Sequence, residues 1–418
     1  MTVSAATSVQ DLLAMRAKAV WRFFMTQDLA YWAMAAYLFV EYVRPQNLLP
    51  FLSGIPMGQI TLGLALLAYM VSGRGLVLKS GASGLFLAFT GVILISSVLA
   101  FEPSASYDDL RTWISWVVIY FLIVNVVNTP QRMVLFIVEW LLCHYYMAQG
   151  GFKQFAIRGF KFASWGVTGA PGWFHNSGEF GIAMCMFAAV SWHFYVASRP
   201  YLTTWRKLFV LGMPATAVIC VIGSSSRGAV IALAAMGFWE LMRSKKRVRA
   251  LAGLTLLSVA GWFILPAEQK ARFMSAGEDR TSVHRLVYWK AGINMATQHP
   301  VLGIGYGNWV RYYSAFYAGD TEDKMVQVSH NIFIQCVAEL GFAGLIGFCA
   351  LIAATLVLNA RTRRMLRAGR DPPHVFMTHL AYGFDGALIS YLVAGFFVTV
   401  LYYPFFWINL ALTVALNS

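Results

Sequence analysis

Of 418 residues, 59% are hydrophobic and 12% are charged, against about 25% charged in an ordinary soluble domain. That balance excludes a conventional soluble protein and points to an all-α chain crossing a membrane many times. The net charge of +14 would suggest nucleic acid on a soluble surface; in a membrane chain it reads as Lys and Arg that set orientation, so no nucleic-acid partner is expected.

Residues 1–27 read as an amphipathic cytoplasmic segment, with Leu12, Met15, Ala19 and Phe23 at helical spacing beside Arg16, Lys18 and Arg22. No cleavable signal is expected, since the first apolar run starts near Leu29. Residues 28–265 hold nine apolar runs of bilayer length, with an outer interfacial segment near 150–177 between the fifth and the sixth. A large outer loop, 266–329, follows, and 330–418 hold the last of about twelve spans. Counting Lys and Arg in the alternating connections puts both termini in the cytoplasm and the two long segments outside. The five cysteines, Cys143, Cys185, Cys220, Cys336 and Cys349, form no CxxC pair, which argues for packing residues over a disulfide framework or zinc site.

Long outer segments are where chemistry is sought. In Gly223-Ser-Ser-Ser-Arg227-Gly-Ala229, an arginine among small residues opens a span. Either it meets an anion beside helix-terminal amides or it snorkels at the interface. The outer loop should form a helix over 282–298, with Val283, Leu286, Val287 and Ile293 near its apolar side. His284 and Tyr288 share one face, as do Arg285 and Trp289. His299-Pro300 ends that helix. Gly303-Ile-Gly305-Tyr-Gly307 follows, but lacks the strand and spacing of a dinucleotide fingerprint and reads as a tight turn admitting close backbone.

His330, at the outer end of the tenth span, lies where the helix dipole favours neutral imidazole. It either takes a proton from a hydroxyl or caps its own helix. Glu339 lies about 180° round and ~13.5 Å deeper on a straight helix, so it cannot share a substrate atom with His330 unless the helix breaks at Gly341. Lys153, Ile157 and Lys161 fall on one helical line with Arg158 beside it, among phenylalanines, as on a helix lying against lipid phosphates. His175, Asn176 and Glu179 open the sixth span and could line the same cavity. Glu139 and Asp385 are intramembrane candidates for function or for hydrogen-bonded glue. No HExxH, Walker loop or clustered Asp pair occurs, so a metalloprotease, an ATPase and a DxD-type metal-dependent transferase lack support.

In order, Ser225-Ser-Arg227-Gly-Ala229, Arg285-x-x-x-Trp289, His299-Pro-x-x-Gly303-x-Gly305-x-Gly307-Asn308, His330-Asn331 and Glu339-x-Gly341-x-x-Gly344 resemble the O-antigen ligase and polymerase superfamily. The resemblance is strongest over 175–350. It implies a multi-pass bacterial inner-membrane glycosyltransferase with a periplasmic site, and no divalent metal or other cofactor. The implied donor is a glycan on polyprenyl diphosphate, and the acceptor, for a ligase, is a sugar hydroxyl of lipid A–core. Membrane lipids are the other expected partners. Arg227 and Arg285 then match the family's essential arginines and His330 its essential histidine, while Lys153, Arg158, Lys161, His175, Asn176, Glu179, Tyr288 and Trp289 are candidate substrate contacts. A ligase is the expected member; an O-antigen polymerase or a protein-directed transferase is the alternative, the latter kept open by Glu41-Tyr-Val-Arg44-Pro-Gln46. The rival class, a twelve-span transporter, should show two matching halves, and no such repeat is seen.

Overall fold

A computed structural model describes residues 7–78, 80–162, 165–244, 280–319 and 326–418, with scattered positions between 247 and 274. Every regular element among the described residues is helical. The expected ninth span (250–265), the start of the outer loop and the acidic stretch from Asp320 to Asp323 lie outside the described residues.

The chain opens with α1 (Val9–Leu13) and α2 (Ala17–Met25). The long helices follow as α3 (Leu29–Val43), the short α4 (Pro45–Leu48), α5 (Met57–Val71), α6 (Gly81–Val98), α7 (Pro103–Val126) and α8 (Pro130–Ile157). Next come α9 (Ser177–Ser198), α10 (Thr204–Gly223), α11 (Arg227–Arg243), α12 (Arg280–Gln298), α13 (Trp309–Phe316), α14 (Ile332–Met365), α15 (Pro372–Gly395) and α16 (Pro404–Asn417). Five of these, α6, α7, α9, α10 and α14, are long and apolar enough to cross a bilayer, and α3, α5 and α16 are shorter apolar helices. Starts are encoded locally. Asp28, Thr129, Asn176, Ser226 and Asn331 accept amide protons of the first turn, satisfying donors that a helix leaves orphaned. Proline opens α7, α8, α15 and α16, where its missing N–H costs nothing.

Contacts at the helix ends show that the long helices run alternately between two ends. At one end, Asp28 pairs with Arg132 at 2.6 Å and Arg74 at 2.9 Å, so α3, the exit of α5 and the start of α8 meet there; Arg206 donates to the Ala14 carbonyl. Asn417, ending α16, reaches the Leu358 carbonyl and Thr362 of α14. At the other end lie the starts of α9, α11, α14 and α16. Apolar on every side, α9 is buried along most of its length among α10, α11 and α15, as a core helix must be. Small residues set its spacing: a Cβ at Gly181 would stand 2.6 Å from the Ala229 methyl, the close approach that joins helices in lipid.

Four expectations need correction. The N-terminal amphipathic segment is two helices, because Met15 takes a left-handed turn (φ +50°) that buries Leu12 and Leu13 while α2 stays on the surface. The basic outer helix is the end of α8. It stops at Ile157, so Lys153 and Lys161 do not share a helical line; Arg158 follows the helix and donates to the Trp165 carbonyl at 3.0 Å. On α12 the buried face is Tyr288, Ala291 and Met295, whereas Val283, Leu286 and Ile293 are exposed. Gly292 lets that face press against Trp309 and Ile334, so small and aromatic residues, not aliphatic ones, define its inner side. Four cysteines are buried, but Cys349 is exposed.

Candidate functional site

Three helix starts meet on one short segment. A Cβ at Gly228, one residue into α11, would lie 3.0 Å from Phe397, and one at Gly178, at the start of α9, would lie 3.4 Å from Val398 and 3.8 Å from the Ser226 hydroxyl. The His330 amide donates to Thr399 Oγ1 at 2.7 Å, just ahead of α14, and a Cβ at Gly395 would touch Ile332 at 2.7 Å. Residues 395–399, the link out of α15, therefore hold the N-termini of α9, α11 and α14 together. Each terminus carries partial positive charge and outward-pointing N–H groups. Arg227 is the first residue of α11, half-buried, with Ser226 capping the helix through the Ala229 amide.

His330 sits one residue before the cap. Asn331 is the residue that caps α14, its Oδ1 accepting from the Phe333 and Ile334 amides at 2.8 and 3.1 Å. This frees the imidazole from that duty. The histidine backbone is left-handed (φ +51°), which turns the chain sharply before the helix. Its Nε2 lies 3.1 Å from Gln327 Oε1. Burial first, and the charge of Arg285 second, hold its pKa down to about 4, so the ring is neutral at physiological pH and Arg285 is an electrostatic neighbour. His330 and Arg285 are thus electrostatic neighbours, and Gly228, next to Arg227, packs against Phe397, two residues before the Thr399 that holds His330.

Tyr288 and Trp289 seat this segment. Tyr288 is 1% exposed, its ring 5.3 Å from Tyr313 and 6.4 Å from His330. Trp289 donates from Nε1 to the Ser329 carbonyl at 3.1 Å and packs edge-on against Phe396. Both face protein.

Behind the histidine, α14 breaks. Gly341 has φ +65° and ψ −167°, a region essentially confined to glycine, and the turn Gly303–Gly307 docks against the break. The Ile304 and Gly305 amides donate to the Ala338 and Glu339 carbonyls at 2.9 and 3.1 Å. Glu339 Oε1 accepts from the Trp309 amide, capping α13. The helix does break at Gly341, yet Glu339 is occupied in structure. The glycines give the close backbone approach expected of them: a Cβ on Gly303 would overlap the Glu339 backbone, on Gly305 the Ala100 side chain, and on Gly307 the Asp109 carboxylate.

The segment before α9 borders the same end. The Val167 amide donates to the Gly223 carbonyl, next to the serine run. His175 is exposed, with Nδ1 2.5 Å from the Gly172 carbonyl and 3.8 Å from Glu179; Asn176 caps α9. Glu179 is buried and accepts from Tyr403 at 2.8 Å. Lys153, Arg158 and Lys161 are exposed around the end of α8, and no contact joins them to His330. Deeper in, Asp385 is bound by Arg363 at 2.5 Å and Asn359 at 2.8 Å, the glue role. Among the described residues no three His, Cys, Asp or Glu side chains gather as a metal site would require.

Sequence reasoning missed Thr399 and Phe397, by running a span through them. Gly395 followed four residues later by a threonine, ahead of Tyr403-Pro404, was the available sign of a link. It also missed the placement of Arg44, left-handed (φ +55°), paired with Glu41 at 2.9 Å, and near enough to Gly172 that a Cβ there would stand 2.6 Å from its guanidinium.

Residues 213–349 match the family described as O-Antigen ligase. Over that third of its length the chain is similar to the O-antigen ligase and polymerase superfamily. The matched segment contains Arg227, Arg285, His330 and the break at Gly341, while Lys153 to Glu179 and Phe397–Thr399 lie outside it. The chain is also 33% identical over 104 residues to the exopolysaccharide production protein ExoQ of Rhizobium meliloti, the alignment covering 23% of each chain. The chain thus spans about a quarter of the length of that relative. Its apolar helices and the superfamily match together indicate a membrane protein.

Proposed function

We propose that this chain is a metal-independent glycosyltransferase that moves a glycan from polyprenyl diphosphate to a sugar hydroxyl. In this reading it is an O-antigen ligase acting on lipid A–core in the bacterial inner membrane, its site periplasmic and both termini cytoplasmic. The observation that carries it is the convergence of three helix N-termini on Phe397–Thr399, with Arg227 and Arg285 and a neutral histidine. Such a cradle suits a diphosphate.

The acceptor oxygen attacks the anomeric carbon, the bond from that carbon to the diphosphate oxygen breaks, and the hydroxyl proton passes to His330. The leaving diphosphate gains negative charge. Guanidinium forks offer paired hydrogen bonds to its oxygens, and fixed dipoles of this kind often supply the largest share of catalysis. With Gln327 Oε1 accepting from Nε2, the proton of the neutral ring sits on Nε2, and Nδ1 keeps the lone pair that takes the proton. A bound diphosphate offsets the charge of Arg285, which raises the basicity of His330 when the donor is present. Tyr288 and Trp289 position the histidine; His175, Asn176 and Glu179 border the acceptor side; Lys153, Arg158 and Lys161 guide phosphates of donor or acceptor.

The similarity to an exopolysaccharide production protein favours one second reading, a polymerase that uses the same clamp with another lipid-linked glycan as acceptor. Purified protein incubated with polyprenyl-diphosphate glycan, with and without lipid A–core, separates the two by product mass. Glycan on lipid A–core supports the ligase; donor chains lengthening without it support the polymerase; neither product refutes both.

A further inference from the structure

The end of the bundle opposite His330 carries a second cationic cavity. An open hollow of about 490 Å³ lies between the end of α14 and the start of α15, lined by Arg363, Arg364, Arg367, Thr378, His379 and Tyr382. Arg363 and Arg364 lie in the last turn of α14 and Arg367 in the turn just beyond it, and all three line the hollow. The opposite wall supplies the Thr378 hydroxyl and an imidazole.

The acids of this region are already occupied. Asp385 is held by Arg363 and Asn359. Glu240 is held by His193 at 2.9 Å and Arg243 at 3.4 Å, and Asp371 pairs with His374. Arg243 and Arg363 both lie over the Tyr382 ring, at 3.3 and 4.6 Å, which fixes the back of the hollow. Among the described residues, Arg364 and Arg367 have no acidic partner within ion-pair distance, and both are exposed at its mouth. Solvated surface arginines would lie on a convex face. Here they border a hollow that also offers a hydroxyl, an arrangement matching a tetrahedral oxyanion with several oxygens to satisfy.

We infer that this hollow binds a phosphate group, borne either by an anionic phospholipid or by a soluble phosphate compound. A basic pocket between helix ends at a membrane face is a recurrent lipid-headgroup site. The site is separate from the proposed diphosphate clamp, and its existence does not depend on that reading.

The test uses the full chain. One arm reconstitutes it in phosphatidylcholine nanodiscs with or without phosphatidylglycerol; the other titrates inorganic pyrophosphate into protein in neutral detergent. Thermal midpoint and native mass spectrometry are the readouts. Arg364→Gln with Arg367→Gln is the probe, since Arg363 is needed for buried Asp385. Each lost charge-assisted hydrogen bond is expected to weaken binding about tenfold or more. Lys18→Gln with Arg22→Gln removes equal charge from the N-terminal surface and should leave the response intact. A phosphatidylglycerol response lost only in the Arg364/Arg367 variant supports a lipid source, and a pyrophosphate response lost only there supports a soluble one. Pyrophosphate binding that is lost instead in Arg227→Gln with Arg285→Gln belongs to the clamp. That result without a phosphatidylglycerol response lost in the Arg364/Arg367 variant, no response in either arm, or equal loss in the Lys18/Arg22 variant overturns the inference.

Discussion

Thr399→Val removes the hydroxyl that accepts the His330 amide at 2.7 Å while nearly keeping side-chain shape. An amide left without its acceptor costs about 1–3 kcal/mol. His330 is held left-handed, at φ +51°, a conformation that itself costs about 1–2 kcal/mol for a non-glycine residue. Losing the tether therefore lets the histidine relax out of its turn. If the lost energy falls on the reactive geometry, the transfer rate drops roughly 5- to 150-fold. The assay is glycan transfer by purified variants at saturating donor, with the thermal midpoint followed in parallel. Thr399→Ser keeps the acceptor and should restore most of the rate. A Thr399→Val enzyme within twofold of wild type, or a Thr399→Ser enzyme as slow as Thr399→Val, would refute the tether.

The pKa of His330, held near 4 by burial and Arg285, predicts that kcat/KM for the free enzyme stays flat from neutrality down to about pH 5 and falls through about pH 4; an acid limb at the ordinary value near 6.5 would contradict this. Because a bound diphosphate offsets Arg285, the acid limb of kcat should lie higher than that of kcat/KM. The same depressed pKa means that this group's contribution to stability is full above about pH 6.5 and is lost as pH falls toward 4, visible as a falling unfolding midpoint that His330→Gln flattens. Arg227→Ala and Arg285→Ala should each lower transfer at least about a hundredfold, the scale of losing a charge-stabilising donor, with expression retained; activity within tenfold of wild type in either would defeat the diphosphate clamp. Gly341→Ala forces a side chain into a backbone region reserved for glycine and against the Val301 carbonyl, so stability should fall by more than about 2 kcal/mol, read as a lowered thermal midpoint, whereas Gly63→Ala, with open space around it, should be neutral or stabilising. Neutralising Lys153 and Lys161 should raise KM more than it lowers kcat, and the reverse would contradict a guiding role.

The helices were legible because long apolar runs and cap residues are local signals: Ser226, Asn176 and Asn331 begin helices where the chain suggests they would. His330, Arg227 and Arg285 could be picked as candidates from motif order. Their mutual placement could not, because it runs through Thr399, far away in sequence and inside an apolar run. The inner face of α12 was misjudged for a related reason. Hydropathy favours Val283, Leu286 and Ile293 as the buried side, but in a membrane protein aliphatic side chains are equally at ease at the lipid boundary, so apolarity alone does not say which way a helix faces. The split of the basic outer helix followed from Arg158, Gly159 and Phe160, where positive φ at Gly159 and Phe160 ends α8.

The turn from Leu302 to Asn308 also bears on the order in which the chain is built. It fills a notch in the hairpin of α6 and α7: Ser96 reaches the Leu302 carbonyl, the Phe101 amide the Ile304 carbonyl, Ser106 the Tyr306 carbonyl, and Asn308 accepts from the Glu102 amide. Its other side is bound to Glu339. During synthesis that hairpin leaves the ribosome some two hundred residues before its partner. Until then its polar groups wait unfilled at the membrane face, so folding of this end finishes late and through distant contacts, which makes it slow. Chains stalled before about residue 300 would present a wet notch in an otherwise apolar hairpin, a feature by which quality control could tell unfinished copies from finished ones.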